Sequence, residues 1–266
     1  MVQKLLDANL SGKHICVGLD TDIAKIPPHL AGLEDPVYEF NRIIIDSTVN
    51  LAAAYKFNLA FYECRGIKGI ESLLKTLEYL GSQTFTIGDG KRGDIGNTSD
   101  MYAKSMFDYF GFDSCTVAPY MGKDSISPFL EYKDHLTYIL ALTSNPGSNN
   151  LQMLKTNVGT YFFEETIEMT KSLNSGRNAG LVFGATQSQL LSESFPKLFG
   201  FDLLLPGVGA QGAKIEDIVP VFTANNFNRY LINFSRSLLY CDSSIRFFET
   251  VRLEIEKTDI LIRRYL

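Results

Sequence analysis

The sequence predicts one (β/α)₈ barrel domain over residues 1–266, and three observations predict it. Eight short β-favouring runs alternate with helical patterns over about 220 residues, the strand count of a closed parallel barrel. The carboxyl ends of those runs carry Asp20, Lys56, Asp89, Lys91, Ser144, Gln211 and Arg236. Five of these seven are ionisable, and in a barrel the strand ends converge on one mouth. The loops after the seventh and eighth runs, finally, hold glycines and an arginine where barrels commonly bind phosphate. A doubly wound open sheet also alternates strand and helix, but it usually places a phosphate loop after its first strand. Asp20-Thr21-Asp22 is no GxGxxG.

The elements follow in order. Residues 14–20 form an apolar run ending in Asp20. A helix is expected over 36–51, with Val37, Phe40, Ile43, Ile44 and Val49 on one face. The second strand, 53–57, carries Lys56 among apolar neighbours, and 67–80 reads as a helix through Leu73, Leu74, Leu77 and Leu80. The third strand, 84–89, runs into Asp89-x-Lys91-x-x-Asp94 with four glycines in and around it. Asp89 and Lys91, two apart, leave the strand side by side. A helix start follows at 97–100, with Met101, Tyr102, Met106 and Phe107 at helical spacing. Strands four to eight are 114–118, 138–143, 179–183, 203–206 and 229–234. A long helix over 161–173 precedes the sixth, and an amphipathic tail from 245 presents Phe248, Val251, Ile255 and Ile262.

Composition narrows the function. Apolar and charged fractions are those of an ordinary globular protein. A net charge of −5 without a Lys/Arg-rich tract argues against bulk nucleic-acid binding and leaves a local anion site open. Four widely spaced cysteines with no CxxC pair read as reduced thiols in or near the core. No apolar run reaches membrane-spanning length and residues 1–10 lack an apolar signal core, so a cytoplasmic chain without a membrane partner is expected.

Taken alone, the stretch 86–98 reads either as a surface salt bridge at a turn or as a charged catalytic cluster. Alternating carboxylates and ammonium groups in one pocket fix each other's positions and shift each other's pKa values. The loop 206–212, with Gly207, Gly209 and Gly212, pairs with Ser235-Arg236 as a phosphate site. The three histidines are scattered and read as solvated or structural, and there is no HExxH, Ser-His-Asp or P-loop order. Asp20, Asp89 and Asp94 could hold Mg²⁺, but two lysines among them already bring the positive charge a metal would supply. No metal or other cofactor is expected.

These residues resemble the orotidine 5′-phosphate decarboxylase family, which converts orotidine 5′-monophosphate to uridine 5′-monophosphate. The resemblance rests on Asp89-x-Lys91-x-x-Asp94-Ile95-x-x-Thr98, Lys56 and the run 17–20. It extends to 143–147, 206–212 and Ser235-Arg236, so it covers most of the chain in order. Lys91-Arg92-Gly93-Asp94 and Phe61-Tyr62-Glu63 look like the longer bacterial subgroup. Lys56-Phe57-Asn58 departs from the Lys-Val-Gly or Lys-Pro of many relatives but keeps the lysine.

The resemblance implies that Lys91 protonates C6 of the pyrimidine as carbon dioxide leaves, without a cofactor. Asp89 would face the substrate carboxylate, Lys56 would bond the ribose and brace Asp89, and Asp94 would complete a Lys-Asp-Lys-Asp array. Asp94 and Thr98 would come from the partner subunit of a homodimer. Asp20 would bind ribose hydroxyls, Ser144 the pyrimidine, and Gln211 the phosphate side with Arg236. Val117, Leu142 and Val182 are the candidate apolar wall from strand position, and 183–187 and 207–214 the segments expected to move. Two other readings share these features: a Mg²⁺-dependent sugar-phosphate enzyme of the same superfamily, and a phosphate-binding barrel without catalysis.

Overall fold

The eight runs pair in chain order, all parallel, and the last returns to the first to close a barrel in a computed structural model that describes residues 2–208 and 212–266. The strands are β1 (Ile15–Gly18), β2 (Ala52–Asn58), β3 (Phe85–Arg92), β4 (Ser114–Val117), β5 (Leu136–Leu142), β6 (Ala179–Phe183), β7 (Asp202–Leu205) and β8 (Tyr230–Phe234). Each overlaps its predicted run, and β3 continues to Arg92 instead of ending at Asp89.

Two apolar layers account for the near-continuous hydrophobicity of these strands, because each is covered on both faces. Alternate residues point inward: Cys16, Ala54, Phe85, Ile87, Tyr138, Val182, Leu204 and Leu231 fill the barrel. Their neighbours Val17, Tyr55, Phe57, Ile139, Leu203 and Ile232 face the surrounding helices. Gly88 is forced by this outer layer, since a Cβ there would lie 2.6 Å from the Phe112 ring.

The helices α1 (Val2–Leu10), α2 (Pro36–Thr48), α3 (Ala60–Glu63), α4 (Ile67–Leu80), α5 (Gly96–Lys104), α6 (Lys123–Leu130), α7 (Phe162–Leu173), α8 (Ser188–Leu198), α9 (Ile215–Ala224), α10 (Arg236–Leu239) and α11 (Phe247–Arg263) cover the barrel. Asp35 caps α2 through its carboxylate on Tyr38 N, with Pro36 in the first turn. A wider π-helical turn over Ser105–Tyr109 extends α5 and buries Met106 and Phe107. In α11 the buried face begins with Phe247; Phe248, the expected residue, is only half-buried.

Helix α1 closes the barrel floor. Leu5 enters the inner apolar cluster, and Lys4 Nζ pairs with the buried Asp113 at 2.8 Å. Asn9 and His14 anchor the other side: His14 Nδ1 lies 3.0 Å from Tyr230 O, its ring stacked on Tyr230 at 4.0 Å. His14 is thus structural. Burial outweighs its hydrogen bond and lowers its pKa to about 4. The unfolded chain therefore binds the proton more tightly, and stability falls as pH drops from about 6.5 toward 4. We expect a loss of about 2 kcal/mol between pH 7 and pH 5 from this group. Urea unfolding at the two pH values checks this, and a His14→Gln chain should lose that part of the slope.

Candidate active site

The inward parity of β1, β2 and β3 brings Asp20, Lys56 and Asp89 to one mouth, and Lys91 joins them from the far end of β3. They line a cavity of about 380 Å³ with Ser144, Gly207, Ser235 and Arg236. The four charges form an alternating row. Lys56 Nζ donates to Asp20 Oδ1 and to Asp89 Oδ2, each at 3.0 Å, and Lys91 Nζ donates to Asp89 Oδ1 at 2.6 Å. Ser235 Oγ closes the row on the other side, 2.6 Å from Asp20 Oδ2.

The electrostatics follow from burial and neighbours. Burial works against the charge on Lys56, but the carboxylates of Asp20 and Asp89 outweigh it and hold the ammonium well above the usual lysine range. Burial likewise raises the Asp89 carboxyl, and the two lysines overcome it to keep Asp89 ionised far below the usual carboxylate range. Beneath the row, burial pushes the Cys16 thiol up to about 12, so it stays neutral. Lys56 and Asp89 are almost wholly buried, whereas the Lys91 side chain is 48% exposed to the cavity. The exposed member of the row is the one that faces the space.

Asp20 is fixed from behind. Tyr62 Oη donates to Leu19 O at 2.9 Å and accepts from Asn41, which also holds Thr21 Oγ1 at 2.5 Å. Tyr240 Oη bonds Asp20 O and Asp22 N at 3.1 and 2.7 Å. Ser144 sits beside Gly184, where a Cβ would lie 2.6 Å from Ser144 N; Thr186 Oγ1 donates to Ser144 O. Gln152 Oε1 accepts from Thr143 N at 2.7 Å and steadies the same turn.

Other expectations fall elsewhere. Asp94 and Thr98 do not line the cavity; Asp94 Oδ1 accepts from Ile95 N at 2.8 Å and Thr98 is exposed. The trio Asp20, Asp89 and Asp94 is therefore not assembled, and Lys56 stands between the first two. Gly207 and Gly212, after β7, are both at positive φ, and Val208 bridges Ala213. Gly209 and Gln211 lie outside the described residues. Val117 and Leu142 belong to the outer layer, and only Val182 lines the cavity. Leu142 is turned outward by a bulge after Leu140, so Leu140 takes the wall position instead. Of the cysteines, Cys16 and Cys115 are buried and Cys241 half-buried, but Cys64 is exposed, contrary to expectation.

Sequence reasoning missed Asn58, Asn145 and Asn233, which also line the cavity. Asn58 and Asn233 stand two residues from Lys56 and Ser235, so strand parity was the available signal.

The fold and site together define the class, a closed parallel barrel with alternating acid and base groups at its strand ends. Comparison with known proteins narrows it. The model of the orotidine 5′-phosphate decarboxylase / HUMPS family matches residues 13–242. The orotidine 5′-phosphate decarboxylase of Porphyromonas gingivalis is 48% identical over 236 residues, covering 86% of this chain and 84% of that one. That of Christiangramia forsetii is 47% identical over 248 residues, covering 91% and 89%. Among solved structures, the OMP decarboxylase of Leishmania donovani superposes with a TM-score of 0.81 at 31% identity, covering 97% and 98%. The UMP synthase of the same organism gives 0.86 at 32% identity and covers 98% of this chain, which spans 55% of that longer one. The chain belongs to the orotidine 5′-phosphate decarboxylase family and is an enzyme, a carboxy-lyase. No described helix is long and apolar enough to cross a membrane.

Proposed function

We propose that the chain, as one barrel domain, decarboxylates orotidine 5′-monophosphate to uridine 5′-monophosphate in pyrimidine synthesis, using its own charges instead of a cofactor. The observation that carries this reading is the row Asp20–Lys56–Asp89–Lys91 in the mouth, with its one accessible ammonium on Lys91. As the C6–carboxylate bond breaks, its electron pair stays on C6 and carbon dioxide departs. The ring has no carbonyl placed to delocalise that pair, so a fixed cation beside it lowers the barrier. Lys91 then gives C6 a proton and is left neutral until solvent reprotonates it. Asp89, held ionised, sets the position of Lys91 and repels the substrate carboxylate, a repulsion that ends when carbon dioxide leaves. Asp20 and Lys56 take the ribose, Ser144 the pyrimidine, and Arg236 with Ser235, Gly207, Gly209, Gln211 and Gly212 the phosphate. Binding of the remote phosphate supplies energy for closing segment 183–187 over the ring.

Asp94 completes the array from a second copy of the chain, together with Thr98. The reading is supported by their position outside their own cavity and by the exposed Ile95 and Met101 beside them, apolar surface that a partner would cover. It makes a quantitative prediction. Lys91→Ala and Asp94→Asn chains, each inactive, should regain about a quarter of wild-type activity when unfolded, mixed equally and refolded, since half the dimers are mixed and each holds one intact site. No recovery would place Asp94 in its own chain's site.

Ultraviolet assay of orotidine 5′-monophosphate with purified protein, with and without EDTA, tests the function. Rapid conversion in both is expected. A strict Mg²⁺ requirement with no nucleotide turnover would instead favour the sugar-phosphate enzyme that shares the Asp-x-Lys-x-x-Asp pattern.

A further inference from the structure

Strand β3 does not run regularly into the mouth. Against β4 it pairs Gly88 with Cys115 and then Arg92 with Val117, so four steps on one strand match two on the other. Gly90 and Lys91 form the resulting bulge, and Lys91 sits at φ 46°, a left-handed conformation that a side chain disfavours. Bulges beside active sites commonly re-aim a side chain, and here the re-aimed residue is Lys91. Displaced from the regular ladder, its amide needs another partner.

Thr116 supplies it. Lys91 N donates to Thr116 Oγ1 at 2.9 Å, and Thr116 Oγ1 lies 2.8 Å from Asp89 Oδ1. An amide can only donate, so the single hydroxyl proton goes to the carboxylate. Asp89 then has three donors: Lys56 on Oδ2, and Lys91 and Thr116 on Oδ1. Thr116 is 1% exposed and is not among the cavity-lining residues, so its hydroxyl acts on the site through Asp89 and Lys91.

We infer that Thr116 is a positioning residue, whose hydroxyl clamps the β3 bulge and fixes the angle between the Lys91 ammonium and the Asp89 carboxylate. The inference rests on the decarboxylase reading above. Without the hydroxyl the Lys91 amide is left unpaired and Asp89 Oδ1 keeps only Lys91, so the proton donor is free to swing. Misplacement of this kind acts on the chemical step more than on binding.

The test compares Thr116→Val, Thr116→Ala and Thr116→Ser with wild type, measuring kcat, KM, uridine 5′-monophosphate affinity and melting. Val keeps the shape and Ser keeps the hydroxyl; Ala serves if Val fails to fold. We expect kcat to fall about 10- to 100-fold in Val and Ala with KM and product affinity within about 3-fold, and Ser to restore kcat. Wild-type kcat in folded Val or Ala, or a Ser chain as slow as Val, overturns the inference alone. A wild-type chain that leaves orotidine 5′-monophosphate intact overturns the decarboxylase reading, and this inference with it.

Discussion

Lys91→Ala should lower kcat by at least about 10³-fold while leaving the fold and the binding of uridine 5′-monophosphate largely unchanged. The ammonium is the exposed end of the charged row, so its removal empties space at the mouth and leaves no cavity in the core. Asp89 keeps Lys56 and Thr116 and stays paired. The loss therefore concerns the transition state, where the proton and the positive charge are both needed. Steady-state kinetics, product titration and a melting curve on one preparation check it. An unchanged rate would sink the mechanism.

Lys56→Met carries the largest expected cost to the fold. It removes the shared counterion of Asp20 and Asp89 and puts a buried apolar chain between them. Asp20 is left with Ser235 and Asp89 with Lys91 and Thr116, and breaking a buried pair in this way costs about 3–5 kcal/mol. The acid dependence of stability should weaken. In the wild type the depressed Asp89 pKa contributes stability that is complete above the unfolded carboxylate value near 4 and is lost as pH falls below it. In the variant Asp89 keeps Lys91 and Thr116 but loses Lys56, so its carboxyl is held down less firmly and contributes less of this stability. After subtraction of the His14 contribution, the variant should lose less stability than wild type as pH falls from about 5 to about 3. Parallel pH profiles in urea unfolding would show that Lys56 does not hold the two carboxylates.

The barrel was legible because its strands are apolar on both faces and end in charge, a pattern that survives without any tertiary information. Asp20, Lys56 and Asp89 were legible for the same reason, since parity at a strand end fixes direction, whereas Lys91 reaches the mouth through the bulge in β3. Several helices were not, among them α6, α8 and α9, which each contain a proline, Pro128, Pro196 and Pro220, that reads locally as a breaker. Helix α1 was hidden because its core contribution is Leu5 and a polar Asn9 rather than an apolar stripe. Val117 and Leu142 were placed on the wrong side of the wall. For Val117 the inward set of β4 is announced only by Thr116 touching Asp89, and for Leu142 a one-residue bulge reverses the face. Bulges and buried hydroxyls are set by neighbours distant in sequence, and no single strand reveals them.

The charged row belongs entirely to the first half of the ring: Asp20 follows β1, Lys56 lies on β2, and Asp89 and Lys91 lie on β3, with Thr116 behind them on β4. The later strands bring Ser144, Val182, Gly207, Val208, Ser235 and Arg236. The linked charges are therefore encoded in one stretch of the gene and most of the uncharged lining of the cavity in another. On the proposed mechanism, mutation in the second stretch can retune which molecule the cavity holds while the charged row is inherited intact. Mutation in the first has no such freedom, because each of its charges is the counterion of the next.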